Sequence, residues 1–76
     1  MNDTTKILEH LAAAWDCPFV AREQVGKFTG GALSSRTMAN LDSRDMGIKD
    51  RFRIGRKVVY PTKALVEFLQ NRYQTI

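Results

Sequence analysis

Two adjacent glycines, Gly30-Gly31, constrain this chain more than any other feature. Glycine takes positive φ at little cost, so the backbone can reverse direction there within two residues. The pair sits in Thr29-Gly30-Gly31-Ala32, between two short segments of helical spacing. The pattern reads as helix, tight turn, helix. Pro18 breaks the chain upstream, and Gly55 and Pro61 punctuate it downstream. Seventy-six residues cut up in this way leave room for one domain of short elements, with modest stability.

Residues 4–15 are predicted to be a helix capped by Asp3 or Thr4, with Ile7, Leu8, Leu11 and Trp15 on one face. Residues 21–28 predict a second, short helix with Val25 and Phe28 inward. Gly26 weakens it but lets another helix come close. A third helix starts at a cap, Ser34 or Ser35, and runs to about Ser43, with Met38 and Leu41 inward. Residues 44–50 are polar and read as a loop. Phe52 and Ile54 alternate with Arg51 and Arg53, so residues 51–60 predict a β-hairpin. A three-residue loop, Gly55-Arg56-Lys57, would set Phe52, Ile54, Val58 and Tyr60 on one face toward the helices. Pro61 suits a helix start and Thr62 a cap. The last helix then buries Leu65, Phe68 and Leu69, with Val66 and Tyr73 at its margins. The expected fold is mainly α with a small β-hairpin, in the order helix, helix, turn, helix, hairpin, helix. Residues 1–18 supply the first helix and residues 19–73 the core.

Composition allows a packed core, since 43% of residues are hydrophobic and 26% charged. The charge is unevenly spread. Residues 36–63 carry eight cations against three acids, while residues 1–35 and 64–76 have no positive excess. A basic stripe of this kind is the footprint of a polyanionic partner. The lone cysteine, Cys17, excludes an internal disulfide, and His10 has no second ligand at metal-binding spacing. Gly30-Gly31 lacks the Lys-Ser/Thr that a phosphate-binding loop needs. No enzyme, cofactor or metal is expected. No leader or membrane-spanning stretch is visible, so a cytoplasmic protein is expected.

Residues 19–69 resemble the MerR-like winged helix-turn-helix of phage excisionases and related small prophage regulators. The resemblance rests on Phe19-Val20-Ala21-Arg22-Glu23, Thr29-Gly30-Gly31 and Met38-Ala39-Asn40-Leu41-Asp42-Ser43. Its most specific part is Arg53-Ile54-Gly55-Arg56-Lys57-Val58-Val59-Tyr60-Pro61, followed by a helix with Leu65 and Phe68-Leu69. The chain departs from that pattern in the bulk of Gln24-Val25 and in Gly47-Ile48, where many relatives have Gly-Pro. The resemblance implies sequence-specific binding of double-stranded DNA in a phage, prophage or plasmid setting, as an excisionase-like protein or a transcription regulator. The recognition helix, about residues 34–43, would lie in the major groove. The wing, residues 51–60, would lie on the flanking backbone or minor groove.

Arg36 and Asn40 have the side chains that read guanine and adenine edges, and Ala39 between them lets the helix come close. Ser35, Thr37 and Ser43 suit phosphate oxygens. Arg56 and Lys57 crowd the hairpin tip with no acidic neighbour along the chain, and Arg44 and Arg53 are further cations that solvent, Asp42 or Asp45 could equally engage. Trp15 and Phe19 read as core or dimer contacts rather than stacking platforms. A module this small covers little DNA, so a homodimer or a cooperative array is expected. The alternative is an interaction module for a protein or structured RNA.

Overall fold

The computed structural model describes residues 3–72, with side chains described from residue 6 onward. Four α-helices surround one face of a three-stranded antiparallel sheet, so the chain is mixed α/β. Helix α1 spans Asp3–Ala14, strand β1 Phe19–Ala21 and helix α2 Val25–Phe28, with a 3-10 turn at Arg22–Gln24 between the last two. Helix α3 spans Ser35–Ser43. Strands β2 (Phe52–Ile54) and β3 (Lys57–Pro61) form the hairpin, and α4 (Thr62–Gln70) closes the chain. The capping positions expected for α1, and Tyr73, lie outside the described side chains.

The helix pair is built as the glycines require. Gly30 and Gly31 have φ of 66° and 91°. Gly31 N–H donates to Gly26 O at 2.7 Å and Gly30 N–H to Lys27 O at 3.3 Å, the double bond pattern of a helix closed by a left-handed residue. The Thr29 hydroxyl donates to Val25 O and accepts from Leu33 N–H, so it ties the end of α2 to the approach of α3. Ser34, not Ser35, is the cap: its Oγ accepts from Thr37 N–H at 3.1 Å. A Cβ on Gly26 would stand 3.5 Å from the Leu33 carbonyl oxygen rather than against a second helix. Helix α3 ends on the same motif as α2, with Asp45 at φ 56° and Met46 N–H donating to Leu41 O.

The sheet corrects the expected hairpin in two ways. It has a third strand, because β1 pairs with β3 (Val20 opposite Tyr60). The hairpin also turns on two residues, Gly55-Arg56, not three. Gly55 has φ of 62° at the first central position, the place where a two-residue hairpin turn tolerates only glycine well. The pairs are therefore Ile54 with Lys57, Arg53 with Val58 and Phe52 with Val59. Side chains alternate faces, so the one-residue difference moves Phe52 and Ile54 to the outer face. They are 44% and 49% exposed, while Val20 and Tyr60 on the inner face are fully buried.

Val20, Val25, Phe28, Met38, Ile48, Tyr60, Leu65 and Val66 make up the core, and Leu11, Trp15, Leu33, Leu41, Phe68 and Leu69 pack on its edge. Trp15 stands edge-on to Phe28, and its Nε1 donates to Phe19 O at 3.0 Å. Phe19 itself lies on the outer face against Phe52. The 44–50 segment is a loop as expected, but Ile48 plugs the core from it. Thr62 does not cap α4. Its hydroxyl donates to Cys17 O and its N–H to Pro18 O, which pins the α1–β1 connection to the start of α4.

Of the five glycines Gly47 has the least room, because a Cβ there would overlap Asp42 Oδ1. Gly47→Ala should destabilise the protein by about 2–3 kcal/mol through overpacking against a buried charge. The same substitution in an Asp42→Ala background should cost much less, as read by urea denaturation of the four proteins of the cycle. Additive losses would mean that Gly47 is needed for some other reason.

Candidate nucleic-acid interface

The exposed face of α3 carries Ser35, Arg36, Thr37, Asn40 and Ser43, with Arg44 beyond its end, and Ala39 is half-buried. Arg36 and Asn40 are one turn apart and share a ridge. Neither side chain makes a hydrogen bond or ion pair among the described residues. Thr37 and Ser43 are partly engaged: Thr37 Oγ1 lies 3.0 Å from Ser34 Oγ, and Ser43 Oγ donates to Asn40 O. With Ser34 as the cap, the Ser35 hydroxyl is left for other partners.

Two adjoining clefts separate α3 and the 3-10 turn from the hairpin. One is lined by Ala21, Arg22, Glu23, Ser35, Arg56, Lys57 and Val58, and the other by Arg22, Asp42, Ser43, Arg51, Phe52, Arg53 and Val58. They share Arg22 and Val58, so together they form a trough along α3 with a cationic rim. The sheet register explains the place of Arg53 on this rim. Arg53 lies opposite Val58, on the face that Tyr60 buries further along, so it points to the α3 side of the hairpin. The trough brings Ser35 to Arg56 and Lys57, and Ser43 to Arg53. Arg36, Thr37, Asn40 and Arg44 lie outside it.

Three polar residues, Arg22, Asp42 and Tyr60, shape this region by a mutual contact that was not read from the sequence. Asp42 is buried, with its side chain 5% exposed. Its Oδ2 accepts from the Tyr60 hydroxyl at 2.6 Å and from Arg22 Nη2 at 2.7 Å, and Arg22 Nε donates to the Tyr60 oxygen at 3.0 Å. Oδ1 has no hydrogen-bond partner among the described residues. Arg51 Nη1 stands 3.9 Å from it and donates to Ile48 O instead. Asp42 is thus held by Arg22, not by Arg44 or Arg53. The tip cation Lys57 does have an acidic neighbour, Glu23, at 2.7 Å across the chain. One signal for Asp42 was present: with Met38 and Leu41 it completes the inward stripe of α3 at i, i+3 and i+4. The Glu23–Lys57 contact joins segments far apart in sequence and left no local trace.

Burial opposes the charge of Arg22, but its hydrogen bonds to Tyr60 and Asp42 outweigh that, and the guanidinium is held above its ordinary value. The Tyr60 hydroxyl is pushed up to about 12, chiefly by burial. The Arg22 hydrogen bond pulls it down, and the bond to Asp42 pushes it further up. Among the described residues no cluster of ligand side chains suits a metal ion, and no helix is long and apolar enough to cross a membrane.

The Tyr60 shift gives a pH dependence of known sign. The unfolded side chain ionises near 10 and the folded one near 12, so its neutral form favours folding. That contribution is complete below pH 10 and is lost as pH rises through 12, where it amounts to about 2–3 kcal/mol. Ultraviolet titration should show a tyrosinate step near 12 that is absent from Tyr60→Phe. Wild-type melting should fall more steeply than that of the variant between pH 10 and 12. A single step near 10 in both proteins would contradict the burial of this hydroxyl.

Comparison with known protein families, curated proteins and solved structures returns no match, so the α3 face and the trough stand on their own geometry.

Proposed function

We propose that the chain is a winged helix-turn-helix protein that binds double-stranded DNA in a sequence-specific way, with α3 in the major groove and the β2–β3 hairpin as the wing. One observation carries this reading. Ser35 and Ser43, at the two ends of the exposed polar face of α3, line one trough together with the hairpin cations Arg53, Arg56 and Lys57. A major groove about 12 Å wide admits a helix, and the adjacent phosphates would then run toward Arg53, Arg56 and Lys57. Their charges neutralise phosphates and release counterions, which gives affinity without sequence preference. Arg36 and Asn40 supply the preference. The small groups around them, exposed Ser35 and Ser43 and half-buried Ala39, let the helix come close to the base edges.

The setting that fits is a phage, prophage or plasmid regulator, either an excisionase-like factor or a transcription regulator, bound as a dimer or a cooperative array. A second reading, docking of a protein partner, draws on the exposed Phe52 and Ile54 of the outer sheet face. Salt separates the two. Affinity for duplex DNA falls steeply with salt, and apolar docking does not.

Asn40→Ala tests the direct readout. It should cost about 1–3 kcal/mol on the preferred duplex and almost nothing on random duplex, with the melting temperature unchanged. Equal losses on both would make Asn40 a backbone contact, and no loss on either would remove this face of α3 from the interface.

The wing yields two changes of opposite sign. Arg56→Ala should weaken binding to every duplex alike and lower the salt slope by about 1. Glu23→Gln releases Lys57 and removes a negative charge from the trough, so it should tighten binding to every duplex and steepen the slope. If both variants bind like the wild type at low salt, the hairpin tip does not touch DNA.

A further inference from the structure

The Arg22–Asp42–Tyr60 triangle grips α3 from behind. At 3.6 residues per turn, Asp42 lies about 200° around the helix from Asn40. The backbone of α3 runs closest to the 3-10 turn and reaches the hairpin through side chains. The bond from Asp42 to Tyr60 is such a bridge, and it is short, 2.6 Å. Tyr60 belongs to β3, which is paired on both sides and gives a rigid anchor. Arg22 brings in the 3-10 turn, and each of the three side chains bonds the other two. A closed triangle of this kind fixes both the distance of α3 from the hairpin and its rotation about its own axis.

We propose that Tyr60 and Arg22, acting through Asp42, are positioning residues for sequence discrimination. The proposal rests on the DNA-binding reading and adds to it which buried groups set specificity. Magnitudes show why. Side chains reach about 5–6 Å from a helix axis, so a 20° rotation of α3 moves the tips of Arg36 and Asn40 by about 2 Å. A bidentate base contact works only near 2.7–3.2 Å with good alignment, so a shift of that size breaks it. Phosphate contacts by Arg56 and Lys57, on flexible stems at the hairpin tip, tolerate the same shift. Loosening the triangle therefore removes discrimination and leaves general affinity.

The test starts from a preferred duplex selected by the wild-type protein from a random-sequence pool. Affinities for that duplex and for a scrambled one are then measured at one salt concentration. Tyr60→Phe keeps the ring and loses only the hydroxyl. It should bind the preferred duplex about tenfold more weakly and the scrambled duplex within twofold of wild type. Arg22→Lys keeps the charge but cannot bridge both partners. Because Arg22 also lines the trough, its general affinity can change too, and the readout for it is the ratio of the two affinities, which should fall as in Tyr60→Phe. Val66→Ala, a core change in α4, serves as the control: a merely structural loss lowers both affinities together or neither. An unchanged ratio in Tyr60→Phe and Arg22→Lys overturns the positioning role while leaving DNA binding intact. A pool that enriches no sequence overturns the specific DNA-binding reading, and the positioning role falls with it.

Discussion

Asp42 is a buried carboxylate on the inward stripe of a nine-residue helix, and four parts of the chain are arranged around it. Arg22 reaches it from the 3-10 turn, Tyr60 from the central strand, Arg51 from the approach to the hairpin, and Gly47 leaves space for it in the loop. A buried charge is expensive unless it is paired and hydrogen-bonded, and removing one partner costs more than the pair gains. The arrangement therefore fixes orientation more than it adds stability. A helix held only by Met38 and Leu41 could roll on its apolar contacts, since burial has no direction. Hydrogen bonds of 2.6–3.0 Å do have direction.

The central strand β3 carries the second constraint. Because it is paired with β1 and β2, its two faces are committed to different tasks. The inner face buries Val20 and Tyr60 against the helices, then continues past the core as Val58 and Arg53 toward the trough. The outer face packs Phe19 edge-on to Phe52, with Val59 almost wholly buried on the same face. Arg53 thus shares a side with α3 as a consequence of register, whereas Lys57, opposite Ile54, is brought to the trough by its contact with Glu23. A shift of one residue would have sent Arg53 outward and removed the cationic rim from that cleft.

Much of the fold was legible because its causes are local. The helix limits follow from Pro18, the Ser34 cap and the glycine pair, whose effects act within a few residues. The hairpin was legible in outline from the alternation around Gly55, and the exposure of the candidate residues from their polar spacing on α3. What failed to show was non-local. Strand β1 is only three residues, Phe19-Val20-Ala21, with no periodicity of its own, and it is a strand because Tyr60 lies opposite Val20. The apolar count favoured a three-residue loop, and it misled because Phe52 and Ile54 could join an outer face that the count did not anticipate.

By itself the sequence determined where the chain breaks, that α1, α3 and α4 are helical and that the positive charge gathers in residues 36–63, since backbone preference and composition are properties of neighbours. The expected helix over 21–28 shrank to Val25–Phe28 because Ala21 joined the sheet. Only the tertiary structure decided which side of the hairpin meets α3, which arginine neutralises Asp42 and that Lys57 meets Glu23. Those are choices among chemically similar partners. They are made by distance and direction between elements that are far apart along the chain, and no local pattern records them.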